Sequence, residues 1–314
     1  MSTLTEKRLA ESLEDLIGGT PMVKLDLGAG ESDTAVYAKL EMANPLSSVK
    51  DRTALYMIEA AEKRGDLAPG GTIVEASSGN TGISLAALAA ARGYRCVIVL
   101  PDSATRERIQ LLRAFGAEIV LTPYENGYVA AIEKAEEIHR ERPGSWFACQ
   151  HDNPDNTQAH YATTGPEIWA DTKGGVDVLV CGIGTGGTLS GIGRYLKEQN
   201  PDIRVVAVEP EDSPVLSQGW GGIHRIPGLN GGFVAPTTDR DVIDEILTVS
   251  NDDAFATARE LARTAGLLVG VSSGAAAHAC RVLATRPEYA GKTLVTVFPD
   301  TGERYLSWFD TTEE

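Results

Sequence analysis

Apolar positions recur along this chain in short runs of two kinds, and the two kinds alternate. Runs at 36–41, 72–75, 95–100, 118–121, 145–150, 176–181, 204–209 and 293–298 are dominated by Val, Ile, Leu and aromatic residues and predict strands. Between them lie stretches with helical spacing. These run from Lys50 to a stop near Gly65, then 83–92 ahead of Gly93, 105–115, about 128–141, 189–199, 252–265 and 270–284. A further helix is expected within 1–20, before the turn Gly18-Gly19-Thr20-Pro21, and another inside the polar, Asn-rich 151–170. Strands that alternate with helices through short connections imply parallel sheets covered on both faces. Residues 211–240 carry many Gly and Pro and little periodicity, the pattern of a long functional loop. The strand–helix pattern restarts after 150–160, so two α/β halves are expected, with the active site between them.

Composition narrows this picture only modestly. The 314 residues are 42% hydrophobic and 23% charged, ordinary for a soluble globular chain, and suffice for two medium domains. A formal charge of -16 argues against nucleic acid or an anionic membrane as a partner. The N-terminus lacks an apolar signal segment, and the longest apolar run, around 83–91, is too short to span a bilayer. Cys96, Cys149, Cys181 and Cys280 form no CxxC pair and read as buried thiols in a reducing cytoplasm. The five histidines show no ligand spacing, and no metal is expected.

Chemistry concentrates at loop–helix junctions. In Pro45-Leu46-Ser47-Ser48-Val49-Lys50-Asp51-Arg52, Ser47 or Ser48 is placed to cap a helix with Lys50 in its first turn. An ammonium is electrostatically poor at a positive helix end, which points to a lysine kept partly neutral and nucleophilic. Against this stands the ordinary reading of a lysine as a solvated surface charge. Ser77-Ser78-Gly79-Asn80-Thr81-Gly82 joins a strand to a helix and offers hydroxyls and amides to a carboxylate or phosphate, or simply a polar turn with a Ser or Thr cap. Gly184-Thr185-Gly186-Gly187-Thr188 is the stronger phosphate candidate. Yet Gly182-Ile183-Gly184-Thr185-Gly186-Gly187 also fits GxGxxG, with Glu209 ending the next strand, and on its own reads as a dinucleotide site. That makes an NAD-binding oxidoreductase the outside alternative. Val271-Ser272-Ser273-Gly274-Ala275 is a third junction, and 299–305 follows the last strand toward the same crevice.

Taken in order, NPLSSVKDR, SSGNTGI, TTGPEIW, GIGTGGT and VSSGAA resemble the cysteine synthase (O-acetylserine sulfhydrylase) family of pyridoxal-phosphate enzymes, with the tryptophan-synthase-β fold type. The resemblance covers nearly the whole chain. It implies two three-layer α/β/α domains with mostly parallel sheets, 1–155 and 156–314, with part of the first 45 residues free to cross to the other domain. It implies pyridoxal phosphate as cofactor, with Lys50 as the Schiff-base lysine and Asn80 on the ring hydroxyl. Gly184, Thr185, Gly186, Gly187 and Thr188 would bind the phosphate, and Ser272 would face the pyridine nitrogen. Ser77, Ser78, Thr81 and Gln150 match the positions that hold the substrate α-carboxylate. The implied reaction is β-replacement, L-cysteine from O-acetyl-L-serine and sulfide through an α-aminoacrylate, in a cytoplasmic homodimer. Alternatives within the family use O-phosphoserine, or another nucleophile such as homocysteine. The chain departs from the family at Ala76-Ser77, where Pro-Thr is usual, and at Tyr128, which takes a Met position near the substrate. Arg225, in the long loop, is placed to meet an anionic leaving group.

Overall fold

Two sheets organise the chain. The computed structural model describes residues 9–28, 33–77 and 79–309. Ser78 and part of the helix expected within 1–20 therefore lie outside the described residues. One sheet has the order β5-β4-β3-β6, all parallel, from β3 (Thr72–Ala76), β4 (Arg95–Pro101), β5 (Glu118–Thr122) and β6 (Ser145–Phe147). The other has the order β1-β2-β10-β7-β8-β9, built from β1 (Met22–Leu25), β2 (Ala35–Leu40), β7 (Val178–Gly182), β8 (Arg204–Pro210), β9 (Glu245–Val249) and β10 (Thr293–Phe298). Only the β1–β2 pair is antiparallel there. Two strands from the start of the chain thus complete a sheet whose other strands come from the C-terminal half.

The near-continuous apolar strands follow from burial on both faces. Along β7, Val178 and Val180 pack with Ala275 and Leu283 of α9 (Val271–Ala284) and Phe255 of α8 (Asn251–Thr264). The intervening Leu179 and Cys181 pack with Leu189, Ile192 and Leu196 of α7 (Gly187–Gln199). In the smaller sheet, Ile73 and Ile98 meet Met57 and Ile58 of α1 (Lys50–Arg64) and Leu85 and Leu88 of α2 (Asn80–Arg92). Val74 and Val99 turn to the other side, against Ala131 and Ile138 of α4 (Gly127–Glu141). Period-two alternation therefore feeds two cores per sheet, and each fully buried Val, Leu or Ile contributes about 1.5–3 kcal/mol. Helices stop where the glycines predict: Gly65 at φ +80° and Gly93 at φ +74° supply the left-handed turn that ends α1 and α2.

The elements differ from the expectation at their edges. Residues 9–20 hold only a short 3₁₀ turn, Glu14–Leu16. β1 and β9 were not expected, since each is short and polar where it meets solvent. The strand expected over 145–150 stops at Phe147, and α2 and α7 start earlier than predicted, at Asn80 and Gly187. Residues 154–171 form a helix interrupted by one π turn, His160–Thr164.

Candidate active site

Lys50 is the first residue of α1, and the turn before it is built to hold it there. Ser47 takes φ +58°, a strained value for a residue with a side chain. The Asp51 carboxylate accepts from the Leu46 N–H (2.8 Å) and the Ser84 hydroxyl (2.6 Å), tying the turn to α2. The Arg52 guanidinium is buried between Glu41 (2.7 Å) and Glu167 (2.6 Å). Val49, not Ser47 or Ser48, occupies the capping position, although Ser48 Oγ accepts from the Lys50 N–H at 3.3 Å. The Lys50 side-chain amine makes no hydrogen bond or ion pair with any described residue. Burial holds its pKa below the usual lysine value, and the nearby Cys181 and Asp300 oppose that shift only in part.

The Lys50 side chain opens on a cavity of about 590 Å³ that also takes in Ser77, Asn80, Thr81, Gln150, Gly184 and Thr185. These come from the C-terminal ends of strands in both sheets, where parallel α/β sheets place ligands. Ser77 follows β3, and its Oγ accepts from the N–H groups of Gly79 (3.3 Å) and Gly82 (3.0 Å), so this hydroxyl holds the first turn of α2 although Gly79 occupies the capping position. Its own hydrogen remains free for a ligand. Thr81 donates to Gln150 Oε1 at 2.5 Å, joining two of the residues matched to the substrate carboxylate. Asn80 donates one amide hydrogen to Asp300 Oδ2 (2.8 Å) and accepts from Arg304, leaving its second amide hydrogen available. Asp300 also accepts from the Tyr305 hydroxyl at 2.6 Å; burial raises its pKa, and its other oxygen is buried without a partner.

The glycine loop explains its own composition. A Cβ on Gly184 would sit 2.2 Å from the Gly228 carbonyl oxygen, one on Gly186 2.0 Å from Thr238 Oγ1, and one on Gly187 2.3 Å from Asn156 Oδ1. Asn156 in turn donates to Thr185 Oγ1 at 2.9 Å, and Thr188 Oγ1 meets His160 Nε2 at 3.1 Å. The backbone N–H groups of Gly184, Thr185 and Gly186 donate to no described residue. Three free amides at the start of a long helix can take a phosphate, so the loop fits the phosphate of a cofactor. Gly186, Gly187 and Thr188 lead from the cavity wall into α7 and do not line the cavity themselves; nor does Ser272, which is buried behind the lining residue Gly228.

Glu209 decides against a dinucleotide. It is fully buried and accepts from the Leu216 N–H (2.8 Å), the Ser217 N–H (3.0 Å) and the Ser217 hydroxyl (2.5 Å), so it holds its own loop and has no ribose to meet. Arg225 reaches the cavity rim but is largely exposed and paired with Asp252 at 3.3 Å. Sequence reasoning passed over two residues here. His151 stands out in the sequence only as one of five histidines without ligand spacing, although its position after Gln150, beyond a strand end, is an available signal. Asn156, which anchors Thr185, lay hidden in a polar connection.

Comparison with known proteins places this geometry. Residues 13–300 match the family model described as pyridoxal-phosphate dependent enzyme. The chain is 47% identical over 298 residues to the cysteine synthase of Staphylococcus aureus (strain Mu50 / ATCC 700699), covering 95% of this chain and 96% of the relative. Among solved structures, the cysteine synthase (OASS) of Entamoeba histolytica superposes with a TM-score of 0.94 at 41% identity, over 98% of this chain and 92% of that one. An O-ureido-L-serine synthase superposes with a TM-score of 0.93 at 44% identity, over 98% and 97%. A lysine without a partner, a glycine cradle with free amides and a match across nearly the whole chain agree: the chain belongs to the family of pyridoxal-phosphate dependent enzymes.

Proposed function

We propose that this protein makes L-cysteine from O-acetyl-L-serine and sulfide by β-replacement. The observation that carries the reading is Lys50, desolvated and unpartnered in the cavity that also holds the free amides of the glycine loop. The names of its relatives supply the donor and product. Lys50 would hold the cofactor covalently, Gly184 to Thr188 its phosphate, Asn80 its ring hydroxyl and Ser272 its ring nitrogen. When bound, pyridoxal phosphate supplies an electron sink next to the substrate α-carbon. Ser77, Ser78, Thr81 and Gln150 would fix the substrate carboxylate. A lysine amine kept neutral by burial can accept the α-proton and later return it, with the acetate leaving between the two steps. The free cysteines suit a reducing cytoplasm, and a homodimer belongs to the same reading.

The test is the visible spectrum of the purified protein with pyridoxal phosphate, before and after O-acetylserine, followed by a cysteine assay with sulfide. The expected result is a visible cofactor band that shifts on mixing, and cysteine formed only with both substrates. A band that ignores O-acetylserine would move the donor to O-phosphoserine or serine. No band after reconstitution would remove the reading altogether.

A further inference from the structure

The side chain of Asn80 is gripped at both ends by one segment, residues 299–305, that reaches it from the far end of the chain. Arg304 can only donate, so the Asn80 atom it meets is the carbonyl oxygen Oδ1. Asp300 Oδ2 accepts from the amide nitrogen Nδ2 at 2.8 Å. Together the two contacts leave the carboxamide a single orientation. A flipped amide would set its N–H against a guanidinium and its oxygen against a carboxylate. Asn80 lines the cavity with Lys50, and its second N–H is the donor it has left for a ligand there.

Asp300 is itself fixed on several sides. Its backbone bridges to Ser48, next to the bond from the Val49 N–H to the Pro299 carbonyl at 2.7 Å. Its carbonyl accepts from the Gly270 N–H at 3.0 Å, so the segment ties the turn carrying Lys50 to the start of α9. The side chain is 2% exposed, and Oδ2 also accepts the Tyr305 hydroxyl at 2.6 Å. Oδ1 turns to Gly270, where a Cβ would come within 2.0 Å of it, and is buried without a partner. A buried carboxyl with one idle oxygen is a poor source of stability. The oxygen that is used is the one that meets Asn80.

We propose that Asp300 is a positioning residue that fixes the Asn80 carboxamide so that its free N–H donates to the ring hydroxyl oxygen of pyridoxal phosphate. The inference rests on the cofactor reading above and deepens it by naming what sets the Asn80 contact. Asp300 touches no ligand and acts only through Asn80. Its consequence is selectivity for the ring oxygen. A ring without that oxygen leaves the Asn80 N–H unpaired, and without Asp300 the amide is free to turn its N–H elsewhere. A hydrogen bond to a polar, partly charged oxygen is worth about 10-fold in affinity.

The experiment is equilibrium dialysis of the protein freed of cofactor against pyridoxal phosphate and against its 3-deoxy analogue, which lacks the ring hydroxyl. Wild type, Asn80→Ala, Asp300→Ala and Asp300→Asn are compared. Differences intrinsic to the two compounds are common to all four proteins, so the readout is the change in preference between them. Relative to wild type, the preference should fall about 10-fold in Asn80→Ala and nearly as far in Asp300→Ala. Asp300→Asn removes the charge but keeps an oxygen for Asn80, and should retain the preference. Asp300→Cys, nearer in volume and only a weak acceptor, replaces the alanine variant if that one does not fold. A merely structural role would weaken both compounds alike. An unchanged preference on losing the acceptor, or a loss in Asp300→Asn as large as that in Asn80→Ala, would overturn the proposal. A wild type that binds neither compound would instead overturn the cofactor reading beneath it.

Discussion

Two lysines, close in sequence, show how the same side chain is put to opposite uses. Lys39, on β2, is fully buried and donates to the Thr20 carbonyl (2.7 Å), Asp171 (2.9 Å) and Glu167 (2.9 Å). The Lys50 amine is desolvated as well but has no partner among the described residues, and Asp300 and Cys181 act on it only through space. A buried cation whose donors are all satisfied is a structural element, and disturbing it costs stability. A buried amine left unsatisfied lowers its pKa instead and becomes reactive. The partner set separates scaffold from chemistry here; residue type and burial do not.

The most forceful way to break this comparison is to remove each kind of group. Lys50→Ala should lower β-replacement by at least about 10³-fold, since one amine serves as covalent anchor and proton carrier. Its unfolding midpoint without cofactor should hold or rise, because a desolvated, unpaired group has gone. Arg52→Met should do the reverse. It strands the fully buried Glu41 carboxylate and should cost about 3–5 kcal/mol in urea unfolding, with activity falling only as far as the turn before Lys50 loosens. If Lys50→Ala unfolded the chain, or if Arg52→Met left stability untouched, the division between the two kinds of buried cation would fail.

Much of this was readable in the sequence where the signal is local. The alternation of buried strands and the stops at Gly65 and Gly93 depend on neighbours within a few residues, and the glycine loop shows in its own residue types, although the atoms that crowd it belong to Gly228, Thr238 and Asn156. What was not readable depends on distance along the chain. The Arg52–Glu167 pair joins residues separated by 115 positions, and the setting of His151 requires Tyr128 and Phe233 from two other segments. α2 and α7 begin earlier than expected because buried glycines sit in their first turns, where packing against Ser77 and Asn156 outweighs glycine's poor helix propensity. Glu209 was misleading for a similar reason: the end of β8 was visible, but the loop that folds back onto its carboxylate was not.

A smaller effect sharpens the comparison from the acidic side. Glu75, buried in β3 just before Ser77, has one oxygen without a partner. Burial raises its pKa to about 8, against hydrogen bonds from Gln150 and Cys149 that lower it. The folded state thus keeps this carboxyl protonated to about pH 8, whereas the unfolded chain releases the proton near 4.5. Between those values the folded state binds more protons, so stability falls as pH rises, by up to about 1.4 kcal/mol per pH unit. Glu75→Gln keeps the shape and removes the titration. Urea unfolding at pH 5 and pH 8 should therefore show a loss in the wild type that is largely absent in the variant. Asp51, raised to about 6 by burial, contributes in the same direction in both proteins and cancels in the difference. His151, held near 4, acts in the opposite sense and mostly below pH 6.5. Parallel curves for wild type and variant would mean that Glu75 is ionised and paired in the fold, and that an unsatisfied buried acid does not respond as Lys50 does.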